Sequence, residues 1–221
     1  MEMDDSIKNE TKAEKVHRRI KQAILKGEIA PGEKMVISQL AQKYKTSIIP
    51  VREALGRLEA ENLVTVIPHT GTYAREIDLK VLREIYPLRG ILEGYAVRLA
   101  SQNLSGTDFV LLKDTIEQMD KAIAKSDFGL MGELNTEFHM IIYRASQNNI
   151  LIQLIEDFLQ KTFLARLVFR FKPYRAIESN KEHLEIVEAL ENGMTDTAER
   201  LIILQSEKTL GLLNDHLVNN E

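Results

Sequence analysis

Arg52 and Arg57 stand five residues apart in the stretch TSIIPVREALGRLEA, residues 46–60, and Ser47 sits where a helix would begin. Guanidinium groups on such a helix suit one chemistry in particular: forked hydrogen bonds to phosphate oxygens or base edges. The free N–H groups of the first turn add partial positive charge where a polyanion would approach. Val51, Ala54, Leu55 and Leu58 fall on a different face from Arg52, so the helix can bury one side and present the other. Directly after it come LVTVI and TYARE, two β-type runs separated by PHTG, with His69, Thr70 and Gly71 as a small, bendable tip.

The elements that must position these residues are legible upstream. From Thr11 to Lys26 the apolar positions Val16, Ile20, Ala23 and Ile24 fall at helical spacing, and Gly27 is a natural stop. APGEKM reads as a turn through Pro31 and Gly32. Ser38 is placed to cap a short helix carrying Leu40, Ala41 and Tyr44. Ser47 is placed to cap the next, with Pro50 in its first turn, where the missing N–H costs little. Asn62, which tolerates a left-handed backbone, ends that helix. Three helices and a wing over residues 1–76 make a winged helix-turn-helix, behind a polar first ten residues expected to fray. Its expected DNA surface comprises Ser38, Ser47, Ile48, Ile49, Arg52, Arg57, His69, Thr70 and Gly71. The alternative is that Arg52 and Arg57 lie on an ordinary solvated helix face.

Charge is divided to match. Residues 1–75 carry 13 Lys and Arg against 10 Asp and Glu, whereas residues 76–221 carry 16 against 23. A basic front on an acidic back is the pattern of a two-part protein of which one part meets a polyanion. With 44% hydrophobic residues the chain can build a substantial core, and with no cysteine it has neither disulfides nor thiolate zinc fingers. The greasiest stretch, Asn149 to Phe171, is interrupted by Glu156, Asp157, Lys161 and Arg166. No signal peptide or membrane span is therefore read, and the expected location is cytoplasmic.

Residues 77–221 read as an all-helical bundle. Breaks at Asn103–Gly106, Ser126–Gly129, Gln147–Asn149, Phe171–Tyr174 and Asn192–Asp196 leave six long amphipathic helices, the first expected to kink or break at Pro87. The chain is thus mainly α: an N-terminal winged helix-turn-helix followed by a helical bundle.

GEIAPGEKM, ISQLAQKY, PVREALGRLEAENLV and HTGTYA, in that order, resemble the N-terminal domain of the GntR family of bacterial transcription regulators. LREIYPLRGILEGYAVRLA, NTEFHMIIYRAS, EHLEIVEALENG and DTAERLI resemble the helical FCD domain of that family's FadR-type branch. The resemblance implies a homodimer on a palindromic double-stranded operator, most simply a repressor, controlled by a small carboxylate effector such as an organic or sugar acid. Arg52 and the wing carry over as DNA contacts. The arginine usual between Ser47 and Pro50 is absent; Ile48 and Ile49, which could meet a thymine methyl, stand there instead.

The branch often holds a divalent metal on one aspartate and three histidines, and the matching positions here are Asn135, His139, His183 and Gln205. Two imidazoles with two neutral amides would hold zinc or nickel only loosely, so hydrogen-bonded pocket or core histidines are the favoured reading of His139 and His183. Arg89 matches a pocket arginine that can fork onto a carboxylate, or it pairs with Glu93 one turn on. Arg175 precedes His183 on one helix and could lean inward. Arg89, Asn135, His139, Arg175, His183 and Gln205 form the expected effector set, while Arg166 and Arg170 read either as partly exposed or as pocket lining. Two further readings stand beside this one: a sensor of long-chain acyl thioesters, and a metal-dependent helical-bundle enzyme using His139 and His183. The second lacks any accompanying nucleophile, carboxylate pair or phosphate loop.

Overall fold

The computed structural model describes residues 10–218, so the opening expected to fray lies, up to residue 9, outside the described part. The chain divides into two compact units, Met1–Glu76 and Ile77–Glu221.

In the first unit, helix α1 (Lys12–Leu25) starts at a reciprocal cap: Thr11 Oγ1 accepts from the Glu14 N–H, and the Glu14 carboxylate accepts from the Thr11 N–H. Its apolar face, Val16, Ile20, Ala23 and Ile24, is buried, and α1 packs on α3 (Ile48–Ala60) through Val51, Ala54, Leu55 and Leu58. Between them, α2 (Ile37–Lys43) begins two residues earlier than Ser38 would place it: Val36 is the cap residue and Ser38 lies inside the first turn. The cause is a strand. Lys34 and Met35 form β1, paired with Tyr73 and Thr72, so the segment expected only as a turn runs extended through Val36. β2 (Val64–Ile67) and β3 (Gly71–Ala74) form the wing in antiparallel register, Val64 opposite Ala74 and Ile67 opposite Gly71, and the sheet order is β1-β3-β2. Asn62 ends α3 in a left-handed conformation at φ 58°, where its side-chain oxygen accepts from Arg75 Nη1.

The second unit is helical: α4 (Leu79–Ala100), α5 (Gly106–Ala124), α6 (Phe128–Ala145), α7 (Asn149–Lys161), α8 (Val168–Phe171), α9 (Pro173–Glu191) and α10 (Thr195–Val218). Side chains of Asp78, Ser105, Asp127 and Asn148 cap α4 to α7, satisfying first-turn N–H groups that have no partner within the helix. α4 continues through Pro87 as one helix, so of the expected kink or break the break does not occur. The single helix expected across Asn149–Phe171 is instead three pieces: α7 stops at Lys161, a 3-10 segment covers Phe163–Leu167, and α8 follows. The first and last helices, α4 and α10, lie side by side. Gly94 permits that approach, since a Cβ there would stand 3.1 Å from Ile203 Cδ1 and 3.2 Å from Glu199 Cγ. Leu112, Met119, Met131, Phe138, Ile142, Ile155 and Ile186 are fully buried at the centre of the bundle.

Candidate functional site

The first candidate surface is the outward side of α3. Ser47 occupies the N-cap position, yet its hydroxyl makes no capping bond. The third helical residue is Pro50, which has no N–H to give it. Ile48, Ile49 and Arg52 are exposed, and Arg52 makes no ion pair among the described residues. Arg57 is also exposed and lies 3.7 Å from Glu14 on α1. At the wing tip His69 holds φ 62° and Gly71 φ 136°, and the Thr70 hydroxyl donates to the Pro68 carbonyl. Ser38 is exposed on the first turn of α2.

The second is a cavity of about 70 Å³ inside the helical unit, walled by Arg89, Asn135, His139, Arg166 and Gln205 over Tyr86, Tyr143 and Phe169. A water needs roughly 10–15 Å³ on the same measure, so the space admits about five water-sized groups. A long acyl chain is larger than that space, so the cavity favours a short ligand.

Helix geometry supplies each wall residue. Asn135 and His139, one turn apart on α6, face the cavity together. Asn135 Oδ1 accepts from the Ser179 hydroxyl (3.3 Å), and Gln205 Nε2 donates to the same hydroxyl (3.2 Å) and to the Ser179 carbonyl. Arg89 borders the cavity, and its Nε donates to Glu93 (2.8 Å) while Nη1 donates to the Thr162 hydroxyl (2.9 Å). Burial works against its charge, but the Glu93 carboxylate outweighs it and holds the guanidinium's pKa above its ordinary value.

Arg175 and His183 share a face of α9 but are not part of the cavity wall, a correction to their expected place in it. Arg175 is 1% exposed and donates from Nη2 to Glu182 (2.8 Å), which also takes a bond from Lys208; the Arg175 Nε and Nη1 have no partner among the described residues. Burial raises the Glu182 pKa, but the bonds from Lys208 and Arg175 outweigh it and leave it lowered. His183 packs on Phe138, with Nδ1 at 3.4 Å from Asn180 Oδ1 and a bare, buried Nε2.

Arg166 is the wall residue that spacing could not place. It sits in the 3-10 segment, guanidinium over the Phe163 ring at 4.2 Å, with its stem against Gly132, where a Cβ would meet it at 3.3 Å. It makes no ion pair among the described residues. Burial pulls its pKa down to about 10, with Glu133 opposing, so it stays charged at neutral pH.

These residues do not fit a tightly held divalent cation. Among the described residues no group of three or more His, Cys, Asp or Glu is placed to hold one. The Asn135 and Gln205 amides are engaged with Ser179, the carboxylates of Glu93 and Glu182 with arginines, and the charges of Arg89 and Arg175 act on His139. The Nε2 of His183, without a partner among the described residues, is a lone imidazole nitrogen beside the Arg175 charge.

Burial first, and then Arg89, pushes the His139 pKa down to about 3; burial, and then His139, pushes His183 the same way. Both are neutral in the native state. Below about pH 6.5 the unfolded chain binds protons that the native chain refuses, so stability falls with pH between about 6.5 and 3. By pH 5 His139 alone should cost about 2 kcal/mol. Urea titrations at pH 7.5 and 5 should show the loss in the wild type and a shallower one in His139→Gln; an equal loss in both would remove His139 as its source.

A winged helix-turn-helix, joined in one chain to a helical unit with a small cavity, is the architecture of a DNA-binding regulator. Residues 12–74 match the bacterial regulatory proteins of the gntR family and residues 84–204 match the FCD domain, and the chain belongs to the GntR family. It is 30% identical over 178 residues to the Nta operon transcriptional regulator of Aminobacter aminovorans, covering 80% of this chain and 83% of that one. It is 29% identical over 192 residues to a probable D-xylose utilization operon transcriptional repressor of Paenarthrobacter nicotinovorans (87% and 84%). The solved structure of McbR/YncC from E. coli superposes with a TM-score of 0.74 at 25% identity, covering 94% of this chain and 99% of that one. The protein is accordingly a transcription regulator and not an enzyme. No helix among the described residues is long and apolar enough to cross a membrane.

Proposed function

We propose that the protein is a cytoplasmic repressor that binds a palindromic operator as a homodimer and changes its hold on it when a short organic acid enters the cavity. The observation that carries the effector half is the charge balance of the helical unit. Arg89 is offset by Glu93 and Arg175 by Glu182, which leaves Arg166 at the wall as a cation without an ion-pair partner among the described residues. A ligand carboxylate completes it with a charge-assisted bond. Asn135, Gln205 and the buried Ser206 hydroxyl, which has no partner among the described residues, suit the neutral oxygens of a short hydroxy acid. Arg89 and His139 border the same ligand, and Arg175 and His183 support the wall from behind.

On the DNA side two copies offer two α3 helices to two half-sites. Ile48, Ile49 and Arg52 face the groove, Ser38, Ser47 and Arg57 approach phosphates, and His69, Thr70 and Gly71 carry the wing to the neighbouring groove.

Fragmented DNA of the source genome retained at about 0.15 M salt should yield a short palindrome. That duplex is then titrated in the presence of glycolate, lactate or glycerate and, separately, their amides. An acid but not its amide should change operator affinity about tenfold, a coupling of ~1.4 kcal/mol. Arg166→Gln should abolish the change and keep the free protein's affinity within about twofold. A response that survives in Arg166→Gln would remove Arg166 as the anion's seat.

A further inference from the structure

The outward face of α3 carries more than positive charge, and its further role rests on the operator binding proposed for that helix. At about 100° per residue, Ile49 stands opposite the buried stripe of Val51, Ala54, Leu55 and Leu58, with Arg52, Glu53 and Gly56 beside it. Ile49 is 68% exposed, the highest value among the exposed large apolar side chains of the first unit, and Ile48 is 47% exposed. Gly56 leaves the face open further along the helix, since a Cβ there would meet nothing within 4 Å. The hydroxyl of Ser47, not used as a cap, stands at the same end as the two isoleucines.

We propose that Ile49, with Ile48 beside it, reads thymine in the major groove by packing against the C5-methyl group. Thymine alone among the four bases presents a methyl there, so an aliphatic side chain on a groove-facing helix has one complementary base feature. Flanking cations hold the helix in the groove: Arg52 lies one turn along, and Lys43 and Lys45 are exposed just ahead of it. Ile49 and Arg52 are about 4.5 Å apart along the axis, a little more than one base step of about 3.4 Å. The thymine therefore falls within one or two base pairs of the position Arg52 contacts.

The test uses the full chain and a random-sequence duplex library. Each thymine of the enriched half-site is replaced in turn by deoxyuridine, which keeps every hydrogen-bonding group and lacks only the methyl. At one or two thymines per half-site the replacement should weaken binding about fourfold, the effect of burying one methyl-sized group. Ile49→Ala should bind thymine and deoxyuridine duplexes equally, and circular dichroism should show it folded because Ile49 is exposed. Unchanged binding with deoxyuridine at every thymine, or full methyl dependence retained in both Ile49→Ala and Ile48→Ala, overturns the proposal and leaves the operator reading standing. If the library yields no enriched sequence, the operator reading falls and this proposal with it.

Discussion

Arg52→Ala is expected to weaken operator binding by about 30-fold to 10⁴-fold, because an arginine forked onto a base contributes about 1–3 kcal/mol and the dimer loses two of them. Arg52 is exposed on the side of α3 away from the core and makes no ion pair among the described residues, so its charge is not used by the fold. The variant should melt with the wild type. Arg57→Ala makes the useful contrast: its guanidinium is exposed and 3.7 Å from Glu14, in reach of a phosphate, so binding should weaken similarly on all sequences and the salt slope should shrink by about one per lost contact. Fluorescence anisotropy on the selected duplex and a scrambled one, across a salt series, separates the two. Arg52→Ala binding the selected duplex with wild-type affinity would take α3 out of the groove.

Glu182→Ala is expected to destabilise the helical unit by about 3–5 kcal/mol, the usual result of stranding a buried charge. Arg175 is fully buried, Glu182 is its one carboxylate partner among the described residues, and two of its three guanidinium nitrogens already lack hydrogen bonds. Removing the carboxylate leaves that cation in apolar surroundings. Arg175→Met should behave differently. It removes the charge and keeps most of the volume, so its cost should be at most about 1–2 kcal/mol and its sign can be favourable. Melting temperatures of the two variants should accordingly differ by several degrees, roughly 2–4 °C per kcal/mol for a chain of this size. Equal losses would mean that Arg175 acts through packing and not through its charge.

Much of the winged unit is written in local signals. The Thr11 and Glu14 cap, Pro50 in a first turn, Asn62 at a helix end and the alternation around PHTG each act within a few residues, and each is found where its chemistry puts it. β1 escaped because two residues have no period to read; its existence depends on Tyr73 and Thr72, almost forty positions away. The end of α7 escaped for a related reason. Phe163 to Phe171 is apolar enough to continue a helix, and only Thr162, whose hydroxyl ties back to Phe158 and takes a bond from Arg89, marks the change of geometry. The cavity was half legible. Four-residue spacing puts Asn135 and His139 on one face, and eight-residue spacing does the same for Arg175 and His183, but spacing cannot say which face borders empty space. That is decided by three-dimensional packing, and it favoured Arg166 over Arg175.

The pairing of α4 with α10 has a consequence for how the molecule is made. The helix that covers the apolar side of α4 is the last of its unit to be synthesised, more than a hundred residues later. At about 5–20 residues per second, α4 waits on the ribosome for on the order of ten seconds with that side uncovered. The winged unit, assembled from residues close together in sequence, has all its parts by then. A nascent chain therefore holds a reading helix before it holds a closed cavity, and the interval is when the helical unit is most open to aggregation or chaperone capture.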